Sequence, residues 1–171
     1  IVVRLVGSEM CIRDRQISDP ETANELSEKA FQLFFKERNK VEFFPYVLDE
    51  IEKLAQIYEL GCLTNGNADI EMIGIGKFFK FNISSKDVNA NKPNKNHFQK
   101  AVELLGISKE EILHIGDHKI NDMLGAISYG VKALWFNPDK EDWDLDDIKK
   151  PSEFNSWPVS YTHLRAHETD Y

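Results

Sequence analysis

The chain is short of cysteine, of positive charge and of long apolar runs, and each shortage removes a class of protein. Two cysteines, Cys11 and Cys62, cannot build a disulfide framework, so a reducing compartment such as the cytoplasm is expected. Lysine and arginine number 21 against 29 aspartate and glutamate, for a net charge of −8. Such a surface repels phosphate backbones and anionic headgroups, which argues against nucleic-acid and membrane partners. It still admits a small anionic substrate, because a local pocket can oppose the global charge. No apolar run approaches the roughly 18 residues that a membrane-spanning helix needs. Residues 1–7 are apolar but short and interrupted by Arg4, without a basic leader or a small-residue cleavage site, so no signal peptide is read there. There is no internal repeat and no low-complexity stretch. What is present, 171 residues of which 42% are hydrophobic and 29% charged, suffices for one buried core.

The two ends are set aside before any fold reasoning. The chain does not open with Met. Residues 1–15 (IVVRLVGSEMCIRDR) and 158–171 (PVSYTHLRAHETDY) resemble translated sequencing-adapter read-through rather than native segments. The exclusion removes Cys11, and also His163 and His167, whose helical ligand spacing is otherwise a weak zinc signal. The native part is then expected to run from about Gln16 to Trp157 as a fragment of a longer protein.

Between these ends, helical and strand-like segments alternate. Residues 20–39 read as a helix, with Asp19 as a possible cap, Pro20 in the first turn, and an apolar stripe of Leu26, Ala30, Leu33 and Phe34 assigned to core packing. Pro45 opens a second helix through Val47, Leu48, Ile51, Leu54, Ala55 and Tyr58, also assigned to the core. A short strand at 61–63 stops at Thr64, Asn65 and Gly66; a helical stretch follows at 70–73, and strand character at 78–84. Asn91-Lys92-Pro93 is a turn, 96–105 an amphipathic helix ended by Gly106, and 112–115 a strand ending at Gly116 and Asp117. Residues 120–129 read as a helix, 132–136 as a strand, and 139–150 as a charged surface segment. Strands alternating with helices predict a Rossmann-like parallel α/β sheet, whose ligands lie beyond the carboxyl ends of its strands.

Three polar clusters fall at those ends. Leu63-Thr64-Asn65-Gly66 offers a hydroxyl and backbone amides to an anion, or is simply a strand-to-helix turn made of favoured turn residues. Lys92, fixed by Pro93, offers an ammonium that can neutralise phosphate, or is a surface lysine at a turn. Asp117 and Asp122 are oxygen ligands suited to Mg²⁺, or Asp117 or Asn121 caps a helix. Hydroxyl, lysine and paired acids in this order are what Mg²⁺-dependent phosphotransfer requires. Cys62 reads as a small buried apolar residue. His114 alternates with Ile115 along its strand and reads as packing or as a satisfied core polar group; His118, on the acidic loop, is left without a role.

The ordered set Thr64-Asn65-Gly66, Lys92-Pro93 and Gly116-Asp117 with Asp122 resembles three successive motifs of the haloacid dehalogenase-like hydrolase superfamily, over residues 44–136. The surrounding residues look most like its phosphatases, and among those the bacterial enzymes acting on flavin mononucleotide or on a phosphorylated riboflavin precursor. The resemblance implies that Thr64 and Asn65 bind the transferring phosphoryl group, that Lys92 stabilises its charge, and that Asp117 ligates Mg²⁺ with Asp122 completing or supporting the metal shell. It also implies a small phosphorylated metabolite as substrate, with residues 16–44 the remnant of a helical cap and 45–157 the α/β core. One family feature is missing. The nucleophile of these enzymes is the first aspartate of an Asp-x-Asp motif ending the first strand, ahead of the cap. Here Asp142-Trp143-Asp144 and Asp144-Leu145-Asp146 have the spacing but follow the acidic loop, and Asp14 has no partner two residues on. The native first strand is therefore expected to be absent, its place open to residues 1–6, and the chain as written to be inactive. The alternatives are a non-catalytic remnant or binding module on the same fold, and a haloacid dehalogenase proper, which needs no Mg²⁺.

Overall fold

The structure, a computed structural model, describes residues 20–66 and 68–157. The chain divides into two compact units, whose described parts are 20–42 with 68–76, and 43–66 with 77–157. The expectations for the leader, the tail, the Asp19 cap and a strand at residues 1–6 lie outside the described residues.

The smaller unit holds helix α1 (Pro20–Arg38) and the short helix α3 (Ile70–Ile73). Asn39 joins them: its Oδ1 accepts the Asp69 amide at 2.8 Å, and Asp69 then caps α3. The expected apolar stripe of α1 is not core. Leu33 is 62% exposed, and Leu26 and Phe34 are exposed as well. The more covered positions are Ala23, Ser27, Phe31 and Phe35, a row spaced by four, with the Phe31 and Phe35 rings stacked at 6.0 Å. The stripe read from the sequence is rotated away from the face the helix covers: Phe31, Leu33, Phe34 and Phe35 are crowded onto adjoining faces of an otherwise charged helix, so helical spacing alone allows more than one stripe.

In the larger unit, α2 (Val47–Ala55) buries Val47 and Leu54 while Leu48, expected in the core, is exposed. Strand β1 (Gly61–Thr64) pairs in parallel with β2 (Phe81–Ser84), Gly61 opposite Phe81. Strands β3 (Leu113–Gly116), β4 (Lys132–Phe136) and β5 (Ser152–Phe154) pair in parallel in that order. The parallel α/β class is as expected. Among the described strands, β1 and β2 form a two-stranded parallel sheet and β3, β4 and β5 a three-stranded one. Alternation along β3 and β4 separates two cores. Leu113, Ile115, Leu134 and Phe136 pack with Leu54 and Phe154. Ala133 packs with Phe98 of α5 (Asn96–Leu105) and Ala126 of α6 (Gly125–Tyr129). A sheet covered on both faces explains why β4 reads as a continuous apolar run. The helix expected at 120–129 begins instead as a π turn, Lys119–Leu124, before α6. A short helix α4 (Ser85–Val88) and strand β5 were not anticipated.

Candidate functional site

The polar clusters meet at the carboxyl ends of β1 and β3. Thr64 ends β1, and its Oγ1 accepts the Gly66 amide at 2.9 Å, which closes the turn and leaves the hydroxyl hydrogen to donate. Asn65 reaches across to the lysine turn. Its Oδ1 accepts the Lys92 amide at 2.6 Å and its Nδ2 donates to the Lys92 carbonyl at 2.9 Å. One side-chain amide thus fixes both backbone groups of Lys92, whose peptide bond to Pro93 is cis.

Lys92 is 7% exposed, and its Nζ donates to the Leu63 carbonyl at 2.7 Å and to Asp122 Oδ1 at 2.6 Å. An ammonium has three hydrogens, so among the described residues one is left for another acceptor. Asp122, 6% exposed, comes back from the π turn to lie against Gly116, where a Cβ would stand 2.5 Å from the Asp122 Cβ. Its Oδ1 also meets His114 Nε2 at 3.1 Å, and its Oδ2 accepts the His118 amide at 3.1 Å. Burial by itself would raise the Asp122 carboxyl; the His114 hydrogen bond and the Lys92 charge outweigh it and hold the group well below the usual carboxylate range. Burial depresses His114, against the opposing pull of its bond to Asp122, and so keeps the imidazole neutral.

Asp117 sits differently. It is exposed, its backbone carbonyl accepts Trp135 Nε1 at 2.9 Å, and its carboxylate has no hydrogen-bond or ion-pair partner among the described residues. Helix capping falls to neither Asp117 nor Asn121: His118 Nδ1 accepts the Ile120 and Asn121 amides at 3.2 and 3.1 Å. For Mg²⁺, the donor set fits in part. Asp117 supplies a free hard oxygen ligand, whereas both oxygens of Asp122 are already engaged. No group of three His, Cys, Asp or Glu is placed to hold a metal among the described residues.

Sequence reasoning passed over two supporting residues, His97 and Trp135, whereas His114 is the satisfied core polar group that was expected. His97 is fully buried, its Nε2 lying 3.2 Å from the Thr64 carbonyl and its Nδ1 without a partner among the described residues. His114 and Trp135 fix Asp122 and the Asp117 backbone. Strand parity carries a signal for His114: it shares a strand face with Gly116, the residue whose missing side chain admits Asp122. Cys62 is half-buried, and burial pushes its thiol up against the lowering effect of Lys92, as suits an unreactive packing residue. Of the acidic run after β4, Glu141 and Asp144 pair with Lys119 at 3.3 and 3.1 Å instead of ending a strand.

The fold that carries this cluster is a parallel α/β core, with a buried lysine–aspartate pair and an exposed carboxylate at its strand ends. Residues 5–136 match the family model described as haloacid dehalogenase-like hydrolase, and the chain belongs to that family. It is 33% identical over 145 residues to the 5-amino-6-(5-phospho-D-ribitylamino)uracil phosphatase YigB of Escherichia coli, an alignment covering 82% of this chain and 60% of that protein. Among solved structures it is similar to a 2-haloacid dehalogenase from Pseudomonas syringae (30% identity, TM-score 0.84, 90% of this chain and 66% of that one). It is likewise similar to a HAD phosphatase from Thermococcus onnurineus (25% identity, TM-score 0.70, 92% and 77%). The chain therefore spans less than two thirds of the length of the E. coli relative.

Proposed function

We propose that this chain carries the phosphoryl-binding half of a Mg²⁺-dependent phosphoric monoester hydrolase for small phosphorylated metabolites. The observation that carries the reading is the Lys92 ammonium, buried between the Leu63 carbonyl and Asp122 with one hydrogen unspent among the described residues. A buried cation aimed by fixed partners stabilises developing charge on a phosphoryl oxygen more strongly than it would in water. The Thr64 hydroxyl donates to a second oxygen, and Asn65 holds the Lys92 backbone in place. Asp117 would hold Mg²⁺, which when bound offsets phosphate charge as a Lewis acid. Asp122 supports the site by anchoring Lys92. Likeness to the E. coli phosphatase makes 5-amino-6-(5-phospho-D-ribitylamino)uracil the first substrate to try, and the resemblance of the motifs adds flavin mononucleotide; nucleic acids and membranes are not expected partners.

No Asp-x-Asp ends a described strand, so binding without turnover is expected of the 171-residue chain. Isothermal titration with inorganic phosphate in the presence of Mg²⁺ should show binding that Lys92→Ala weakens by tenfold or more, while p-nitrophenyl phosphate is not turned over. Turnover abolished by Asp117→Asn would refute the missing nucleophile. Absence of any phosphate or Mg²⁺ binding would favour the non-catalytic reading. A second reading, dehalogenation, is favoured by the Pseudomonas syringae structure. Halide release from a 2-haloacid that survives a chelator would replace the phosphatase reading with it.

A further inference from the structure

We infer that His114 is a positioning residue: its Nε2 hydrogen fixes Asp122 and, through Asp122, the Lys92 ammonium. The inference rests on the reading of Lys92 as the group that meets the phosphoryl oxygens. The terminal torsion of an aspartate is broad, so one ion pair does not set the plane of its carboxylate. Among the described residues Asp122 has three donors on its two oxygens: Lys92 and His114 on Oδ1, the His118 amide on Oδ2. They are not equivalent as anchors. His118 lies four residues away on the same turn and travels with Asp122. His114 belongs to β3, which is hydrogen-bonded along its length to β4 with His114 opposite Ala133. It is therefore the link between Asp122 and the sheet.

The ring is itself held. It stands edge-on to Phe98 with centroids 5.1 Å apart and planes at 89°, so the core around α5 sets its orientation. An ionised carboxylate only accepts, so the Nε2 facing Asp122 must carry the hydrogen. The ammonium thereby gains two independent footings: the Leu63 carbonyl of β1, and β3 through Asp122 and His114. Loss of the second footing leaves the carboxylate plane free to turn and the ammonium free to follow it.

The test uses the 171-residue chain labelled with ¹⁵N at histidine and lysine, the Lys92 ammonium signal being the one lost in Lys92→Met. In the unaltered chain His114 must show a hydrogen on Nε2; a ring whose Nε2 carries none overturns the inference. His114→Gln keeps an N–H near the Nε2 position, and His114→Phe keeps ring bulk against Phe98 without it. The expected result is a Lys92 signal retained in the Gln variant and lost or shifted in a Phe variant that still melts cooperatively. A signal retained in both, or lost in both, overturns the inference; if the Phe variant does not fold, the tautomer and the Gln variant decide. Inorganic phosphate added to the unaltered chain reads the other claim separately. A Lys92 signal indifferent to phosphate ends the phosphoryl-binding reading, whatever the two variants show about His114.

Discussion

Lys92 is almost wholly removed from water, a state that costs several kcal/mol unless partners replace the solvent. The partners are supplied by residues the sequence shows as separate words: Leu63, Asp122 and, behind Asp122, His114. Lysine, hydroxyl and acids could be picked out in order because strand ends are marked by turn residues. What could not be seen is which acid faces the lysine, since that depends on a π turn bringing Asp122 against Gly116 while Asp117 stays exposed. His97 shows a different limit: a histidine in an amphipathic helix gives no sign that it lies under the Thr64 carbonyl. Its burial lowers its proton affinity, with the bond to Thr64 opposing and the Lys92 charge assisting. The folded state then binds fewer protons than the unfolded one below the ordinary histidine pKa of about 6.5, so stability rises with pH through that region. Each such histidine contributes a slope of up to about 1.4 kcal/mol per pH unit. His97→Gln, which keeps an N–H for Thr64, should flatten the rise of urea-derived stability just below about pH 6.5 relative to the unaltered chain. An unchanged slope would show that His97 is not held neutral.

Among the elements, β3 and the turn after it do the positioning. Gly116 is required by approach rather than by backbone conformation: a Cβ there would lie 2.5 Å from both Cβ and Cγ of Asp122. Gly116→Ala must push Asp122 outward and detach it from Lys92 and His114. Overpacking costs about 1–3 kcal/mol, and a buried charge left without its partner costs about 3–5 kcal/mol. A loss of about 3 kcal/mol or more is expected from the urea midpoint, together with loss of phosphate binding; a change under about 0.5 kcal/mol, the range of ordinary surface substitutions, would show that Asp122 is not pinned. The helix periodicity of 120–129 placed this segment correctly but took its first turn for ordinary α-helix, because apolar spacing does not separate a π turn from the helix it leads into. Strand β5 was missed for another reason. Three residues following Pro151, with Glu153 in the middle, carry no strand signal of their own and become a strand by pairing with β4.

At the scale of the whole chain, the two units differ in how much they bury. In the larger one, Leu134, Trp135 and Phe98 are enclosed, with the β4 backbone paired on both sides. In the smaller one, Asn39, Ile70 and Gly76 are the buried residues among those whose burial is described, and α1 turns Leu26, Leu33 and Phe34 to solvent. A 19-residue helix gains little from propensity alone and depends on tertiary burial for its stability. Local opening free energies follow such burial, from near zero at thinly packed elements to the global value in core strands. Amides of α1 are therefore expected to exchange with deuterium at least a hundredfold faster than those of β3 and β4 under native conditions, and peptide-level mass spectrometry resolves the two. Salt should leave the contrast intact, because the pairs along α1, such as Lys29 with Glu25 at 3.7 Å, are exposed and contribute little. Protection of α1 equal to that of β4 would mean that the Leu26, Leu33 and Phe34 face is covered in solution, and the sequence-based assignment of that stripe to a packed interface would be restored.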